Sequence, residues 1–223
     1  MTNFLLAAVS LLFILNPAQK EDGVQYLKNA LSKFAGIEDY VVNVKVHMDI
    51  PDVKSPDMEG TVYYKEPDKY KMESKGLFFL PKEVGVFNPK KFDPDAFDVK
   101  FVDTTEVDGV PAVRVSLSPK KDESGMREVI LTIDERDWLI REIASVPYPG
   151  RQASAKITYD RFGNFQLPVR IDVNLDIDKG NMPMGRFGGE QAVRRGLKGN
   201  VEIYYSNYKI NSGLSDSIFK TEE

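Results

Sequence analysis

Alternating apolar and polar residues between positions 40 and 50 give the strongest structural signal in the chain. Every second residue from Tyr40 to Ile50 is apolar, and four of the five residues between them are polar or charged. Side chains of a β-strand point alternately to the two faces of a sheet. The segment is therefore predicted to be a strand that ends before Pro51, with one apolar face made of Tyr40, Val42, Val44, Val46, Met48 and Ile50.

Strand-like runs continue to the C-terminus, separated by turn residues such as Glu66-Pro67-Asp68 and Phe162-Gly163-Asn164. No segment of strong helical period separates them, which disfavours parallel βαβ units and favours an antiparallel meander. A meander of this length is expected to curl, because a flat one leaves two exposed edges and a bare face. The nine runs are Glu59–Lys65, Lys69–Ser74, Asp98–Asp103, Val110–Ser116, Arg127–Ile133, Trp138–Val146, Ala153–Asp160, Leu167–Ile177 and Val201–Ile210.

One segment before the strands has the period of an amphipathic helix. Apolar residues recur there at spacings of three and four, and they are Val24, Leu27, Leu31 and Phe34. Asp22 is suited to cap the start, and Gly36 is suited to end the helix in a left-handed conformation. The pattern predicts a helix from Gly23 to Ala35. The predicted fold is thus mainly β with one major α-helix, an unclosed antiparallel barrel or strongly curved sheet of about ten strands.

The first residues are typical of a secretory signal peptide. Phe4 to Leu15 is apolar except for Ser10, which is too short to span a bilayer but suits a signal sequence. The alternative is a short buried or membrane-associated helix. We expect a signal peptide over residues 1–18 and one exported domain over residues 19–223.

Two segments interrupt the strand pattern. The apolar stretch Gly76–Pro81 contains Phe78 and Phe79, and it is predicted to be a lid with short helical turns. Asp178–Asn200 is predicted to be a long loop, and it is rich in glycine and basic residues. This loop could meet anionic lipid head groups or an acidic partner, or it could be an ordinary solvated loop. Its cations include Arg186, Arg194, Arg195 and Lys198.

Composition and motifs argue against several classes of function. A net charge of −4 disfavours nucleic-acid binding, and the absence of cysteine excludes disulfides and cysteine zinc sites. The single histidine, His47, lies on the polar face of its strand, where a solvated role is favoured over a catalytic one. The carboxylates are scattered without the spacing of a metal loop or a glycosidase pair. We expect no enzymatic activity, no cofactor and no metal.

The supply of large apolar side chains raises the question of what fills the curved sheet. The chain has 13 phenylalanines and 10 tyrosines, many of them in strands or in the predicted lid. An unclosed barrel covered by a helix can hold a ligand cavity, but the same residues can also form an ordinary filled core. If there is a cavity, its expected lining is Val42, Val44, Val46, Tyr70, Met72, Phe78 and Phe79.

The order of these pieces resembles the LolA/LolB-like superfamily of outer-membrane lipoprotein-sorting proteins. The resemblance lies in the hairpin sequence from Gly60 to Glu73, with Pro67, and in the final strand and tail from Val201 to Phe219. It implies an unclosed barrel with a helical lid and a hydrophobic cavity for lipid acyl chains. It further implies a periplasmic carrier of lipids or lipoproteins. The alternative is an interaction or envelope-stress sensor module that has the same fold and a filled core.

The chain departs from the family at one position. Carriers of this family place an arginine just before the hairpin proline, whereas this chain has Glu66 there, preceded by Lys65. The departure bears on whether the chain carries out the family's lipoprotein transfer cycle.

Overall fold

The computed structural model describes residues 22–51, 56–74, 88–121, 128–145, 151–178 and 197–220. Several sequence predictions concern residues outside these ranges. They are the signal peptide over residues 1–18, the lid residues Phe78 and Phe79, and the basic residues Arg186, Arg194 and Arg195.

One helix and ten strands make up the described fold. The helix, α1, begins at Gly23 and ends at Ser32, and short 3-10 turns lie at Pro89–Lys91 and Asp216–Phe219. The strands are β1 (Asp39–Asp49), β2 (Met58–Lys65), β3 (Lys69–Ser74), β4 (Phe97–Val107), β5 (Val110–Pro119), β6 (Val129–Asp134), β7 (Ile140–Ser145), β8 (Arg151–Phe162), β9 (Phe165–Ile177) and β10 (Leu197–Ile210). No helix in the described ranges is long and apolar enough to cross a membrane.

The ten strands form one antiparallel sheet in the order β3-β2-β1-β10-β9-β8-β7-β6-β5-β4. The prediction of a curved or unclosed antiparallel sheet is confirmed. The prediction of a simple meander needs correction, because the chain passes from edge strand β3 to the opposite edge strand β4, while the first strand pairs with the last. If the two edge strands were joined, the ten strands would follow one another around a ring in chain order. The sheet is open between β3 and β4. We call this opening the seam.

The two ends of the sheet differ in their connections. At one end, short turns over residues 66–68, 108–109, 135–139 and 163–164 join neighbouring strands. We call this the turn end. At the opposite end, which we call the loop end, lie the other strand termini, which are Asp49, Met58, Ser74, Phe97, Pro119, Val129, Ser145, Arg151, Ile177 and Leu197.

The register of the strands places apolar residues opposite apolar residues, and polar residues opposite polar residues, across eight neighbouring strands. These strands run in the order β1, β10, β9, β8, β7, β6, β5 and β4. One row is apolar throughout and comprises Met48, Val201, Val173, Ala155, Ile143, Leu131, Val115 and Phe101. The adjacent row is polar throughout and comprises His47, Glu202, Asp172, Lys156, Glu142, Thr132, Arg114 and Asp103. Because neighbouring positions point to opposite faces, the sheet has an apolar inner face and a polar outer face.

Helix α1 packs against β4, β5 and β6 and covers that part of the inner face. Asp22 caps the helix by accepting a hydrogen bond from the Val24 amide at 2.9 Å, as predicted. Leu27 and Ala30 are fully buried. Gly23 lies so close to β4 that a Cβ atom there would come within 2.6 Å of the Phe101 amide nitrogen. Glycine at this position therefore allows the start of the helix to contact the strand backbone.

Aromatic side chains fill the turn end of the inner face. Tyr40 stacks on Tyr64 with ring centroids 5.1 Å apart, and Tyr208 lies 4.8 Å from Phe162 and 5.9 Å from Tyr40. The Tyr208 hydroxyl donates a hydrogen bond to the Pro168 carbonyl at 2.9 Å, which satisfies its polar atom inside the core. Burial raises the pKa values of both Tyr40 and Tyr208. This end of the inner face is thus closed by packed rings.

The Asp39 carboxylate anchors the C-terminal tail over this aromatic end. It is 3% exposed and accepts hydrogen bonds from the amides of Ser212, Gly213 and Leu214 at 2.8, 2.9 and 3.1 Å, and from the Ser212 hydroxyl at 3.1 Å. Burial alone would raise the pKa of Asp39, but these donors outweigh it and lower the pKa below its ordinary value. The carboxylate therefore stabilises the fold in its ionised form.

A second set of contacts holds the tail to the β2–β3 hairpin. Asp216 accepts hydrogen bonds from Lys65 at 2.8 Å and from Lys69 at 2.6 Å, and Lys65 also donates to the Leu214 carbonyl at 2.7 Å. The two lysines lower the pKa of Asp216 to about 2. The tail thus connects the start of β1 to the turn of the edge hairpin.

We expect Asp39→Asn to reduce the free energy of unfolding by about 2 kcal/mol at pH 7, because buried amides lose a charged acceptor. The pKa of Asp39 is lowered in the folded state, so its contribution is present above the unfolded value of about 3.9 and is lost as pH falls through the folded value. Denaturant unfolding at several pH values would measure both effects. Asp98→Asn, at an exposed position of β4, is the control, and equal losses in the two variants would contradict the anchoring role.

We expect Gly23→Ala to destabilise the protein by about 1 kcal/mol, although alanine favours helix by up to about 1 kcal/mol. The added Cβ would meet the backbone of Lys100 and Phe101, and overpacking of this kind costs about 1–3 kcal/mol. Denaturant unfolding would measure the change. Lys28→Ala, on the exposed side of α1, serves as the control. An increase in stability for Gly23→Ala would show that the helix start is not held against β4.

Candidate functional site

The inner face is unevenly covered, and its half-buried part is the candidate site. In the apolar row, Val115 and Leu131 lie beneath α1 and are fully buried. Toward the loop end of β1, β7, β8 and β9, several inner-face residues are only half-buried, although they pack against the core. The neighbouring inner-face row on the turn-end side, which includes Val46, Ile203 and Ile157, is buried. We call the half-buried residues the apolar strip, which consists of Met48, Ile143, Ala155, Val173 and Leu175. Part of the apolar side-chain area of the strip therefore stays accessible to water, and a ligand could cover it.

The structure places the predicted lining residues in two different environments. Val42, Val44 and Val46 lie on the inner face, but none of them is more than 2% exposed. Tyr70 and Met72 are half-buried on edge strand β3, directly opposite Tyr64 and Val62. The valines are therefore part of the packed core, whereas Tyr70 and Met72 lie beside the seam. Phe78 and Phe79 lie outside the described residues.

Most of the apolar strip could not be assigned from the sequence. The sequence pattern puts Met48 on the apolar face of β1, as the structure does, but it predicts Ile143, Ala155, Val173 and Leu175 only as parts of strands. Their common position depends on the register of every pairing in the sheet, including that of β1 with β10, where Met48 lies opposite Val201. Alternation within Leu167–Ile177 gave one usable signal, because Val173 and Leu175 alternate there with Asp172, Asn174 and Asp176.

A small cavity lies at the turn end, near the start of β1. Its volume is about 20 Å³, enough for about one water molecule and far below the several hundred Å³ of a typical ligand pocket. It is lined by Phe34, Ile37, Tyr40, Tyr64, Asn88, Pro89, Lys90 and Leu167. This cavity is too small to receive an acyl chain.

Glu66, the position of the family departure, forms an ion pair with Lys90. Glu66 belongs to the turn between β2 and β3, and Lys90 lies in the 3-10 turn that precedes β4. Burial lowers the pKa of Lys90. The Lys90 ammonium also approaches the Ile37 carbonyl, at 3.5 Å. A contact between opposite charges therefore connects segments that belong to the two sides of the seam.

The outer face carries polar groups with partners on neighbouring strands. Its histidine, His47, is exposed as predicted, and its Nδ1 donates a hydrogen bond to Asp57 at 2.7 Å. Lys198, from the predicted basic loop, is exposed and donates to Asp176 at 2.9 Å. In the described ranges, no three histidine, aspartate or glutamate side chains come together in a group that could hold a metal ion.

Comparisons with known proteins identify the fold. The chain matches a domain from Vibrio parahaemolyticus described as an outer membrane lipoprotein-sorting protein, with a TM-score of 0.63, 9% identity and coverage of 88% of this chain and 95% of that one. It matches a LolA superfamily protein from Nitrosomonas europaea with a TM-score of 0.59 and 13% identity, covering 90% and 98% of the two chains. A DUF1329 family protein from Desulfovibrio piger gives a TM-score of 0.65 and 14% identity, again covering 90% and 98%.

These matches show a LolA-like fold over most of the chain and confirm the resemblance at the level of fold. No protein-family model and no curated protein sequence matches the chain. At sequence identities of 9–14%, these matches show the fold alone. The function has to be inferred from the residues of the site.

We expect Glu66 and Lys90 to be coupled by about 1 kcal/mol in a double-mutant cycle with Glu66→Gln and Lys90→Gln, because the pair is about two-thirds buried. Unfolding free energies of the single and double variants would measure the coupling. The exchange Glu66→Lys with Lys90→Glu should recover most of the stability that either exchange alone removes. Lys91, which is exposed beside Lys90, gives the control pair, and equal coupling of Glu66 to Lys91 would contradict the assignment.

Proposed function

We propose that this protein binds lipid acyl chains, free or attached to a lipoprotein, along the apolar strip of its curved sheet. The observation that carries the proposal is the apolar row, which crosses eight strands but is fully buried only in part. The free energy of the system falls when such an apolar surface is removed from water. An acyl chain lying along the strip would supply the missing cover.

The chemistry of the strip suits a flexible apolar ligand. Its side chains are all aliphatic or methionine, and methionine adapts its shape to irregular apolar partners. Burial of an acyl chain contributes about 0.8 kcal/mol per methylene. Affinity for a chain would therefore increase with its length, and the strip itself supplies no charged group to select a head group.

The comparisons support this function by analogy of fold. Two of the matched structures are described as an outer membrane lipoprotein-sorting protein and a LolA superfamily protein. A carrier role fits a periplasmic location after removal of the proposed signal peptide over residues 1–18. It requires no catalytic group and no cofactor. Phe78 and Phe79 are proposed as additional contacts, and Arg186, Arg194, Arg195 and Lys198 as contacts for an anionic membrane surface or an acidic partner.

A second candidate function is an interaction module with a filled core. The complete burial of Val42, Val44 and Val46 and the small volume of the cavity at the turn end favour this alternative. In that case the inner face would only stabilise the fold, and the protein would act through its outer surface. The two functions differ in whether the purified protein takes up acyl chains.

We expect the protein to bind a fluorescent fatty acid, and Val173→Asp to raise its dissociation constant at least about tenfold. The new carboxylate would lie on the apolar strip and would lose water on contact with the ligand. Titration followed by fluorescence would measure affinity, and native mass spectrometry would show bound lipid.

Asn174→Asp is the matched control, because it adds the same charge to the exposed neighbouring position of the same strand. Val173→Thr, which adds only a hydroxyl, should weaken binding less and guards against loss of folding in Val173→Asp. Circular dichroism would confirm that each variant is folded. Absence of fatty-acid uptake by the unaltered protein would support the interaction module instead.

A further inference from the structure

The outer-face contacts of His47 suggest a role that the proposed function does not use. His47 belongs to the polar row and directly precedes Met48 of the apolar strip. The two side chains point to opposite faces of β1 near its loop end. An interaction made by His47 therefore acts on the same stretch of backbone that positions Met48.

The partner of His47 is the carboxylate at the start of the next strand. Asp57 accepts from His47 Nδ1 through Oδ1 at 2.7 Å, and its Oδ2 lies 2.9 Å from the Lys45 ammonium. Asp57 directly precedes Met58, the first residue of β2, which is 8% exposed on the inner face. The Asp57 carboxylate thus contacts both the Lys45 ammonium and the titratable His47 imidazole at the loop end of the β1–β2 hairpin.

The described charges around His47 favour its protonated form. The hydrogen bond to Asp57 raises the pKa of His47, and Glu202 of β10 and Asp49 of β1 act in the same direction. Lys45 opposes protonation by its charge, although Glu59 of β2 lies 3.8 Å from its ammonium. Glu202 is directly opposite His47 in the strand pairing. The imidazole therefore titrates in a setting with more acidic than basic neighbours.

We propose that His47 and Asp57 form a pH-dependent latch that fastens the loop end of the β1–β2 hairpin while the imidazole is protonated. The protonated ring donates a charge-assisted hydrogen bond, which is stronger than the bond of a neutral ring. Loss of the proton weakens the connection between the end of β1 and the start of β2. Met48 and Met58, which directly follow the two latch residues, then lose part of their support.

The direction of the pH dependence follows from the raised pKa. The contribution of the latch is fully present below the ordinary histidine value of about 6.5 and is lost as pH rises through the raised value. The hairpin end should therefore open more often at pH 8 than at pH 5.5. Because the chain has one histidine, no other imidazole contributes in this range.

The test measures the His47 titration by NMR and the amide hydrogen exchange of Met58 to Gly60 between pH 5.5 and 8. After correction for the intrinsic exchange rate, protection of these amides should fall about two- to fivefold as His47 loses its proton. Asp57→Asn should move the titration midpoint back toward 6.5 and remove the pH dependence of protection. His47→Gln should remove it as well.

Asp49→Asn is the matched control, because Asp49 influences His47 only by its charge. This variant should shift the midpoint slightly and keep the pH-dependent protection. A midpoint that is the same in Asp57→Asn as in the unaltered protein would overturn the latch. Protection that does not follow the titration of His47 would overturn it too.

A ligand measurement extends the test, and this part rests on the proposed function. The dissociation rate of bound fluorescent fatty acid should rise about two- to fivefold from pH 5.5 to 8, and His47→Gln should abolish the rise. Equal rates at both pH values would overturn the link between the latch and ligand release. Failure of fatty acid to bind at all would refute the proposed function, while the NMR and exchange results would still decide on the latch itself.

Discussion

The register of the strands is the constraint on which the rest of this structure depends. Eight strands align Met48 through Phe101 in one apolar row and His47 through Asp103 in the adjacent polar row. A slip of one residue in any strand would turn charged groups inward and apolar groups outward. Each strand adds charged groups that a shifted register would bury without partners, so the free-energy penalty for a shift grows with the number of aligned strands. The curved sheet, its packed core and its apolar strip all follow from this alignment.

Helix α1 covers only part of the face that this alignment creates. Helix α1 has 10 residues and packs on three of the ten strands. Beneath it, Val115 and Leu131 lose all contact with water, whereas Val173 and Ala155 do not. Position along the strands also matters, because Val46 and Ile203, one inner-face row nearer the turn end than Met48, are fully buried. The candidate site is therefore the part of the inner face toward the loop end. The seam between β3 and β4 adds to it, because Tyr70 and Met72 are inner-face residues of an edge strand.

Local patterns predicted the elements well, and long-range contacts could not be predicted. The alternation from Tyr40 to Ile50, the Asp22 cap and the left-handed Gly36 are confirmed. The helix ends at Ser32 and not at Ala35, because the following amides bond three residues back in tight turns. The Asp39 anchor joins residues 173 to 175 positions apart, and the Glu66–Lys90 pair depends on how β3 connects to β4. No periodicity encodes such contacts, because they arise from the topology of the whole sheet.

The two ends of the sheet are stabilised by different kinds of interaction, and this difference suits the proposed binding of a ligand. At the turn end, packed aromatic rings and the buried Asp39 carboxylate join the tail to the first strand. At the loop end, the contacts of Asp57 with His47 and Lys45 are exposed to water and each contributes little. Local opening requires least free energy where contacts are few and solvated. Motion is therefore expected at the loop end, next to Met48 and Met58, while the turn end keeps the register on which the whole sheet relies.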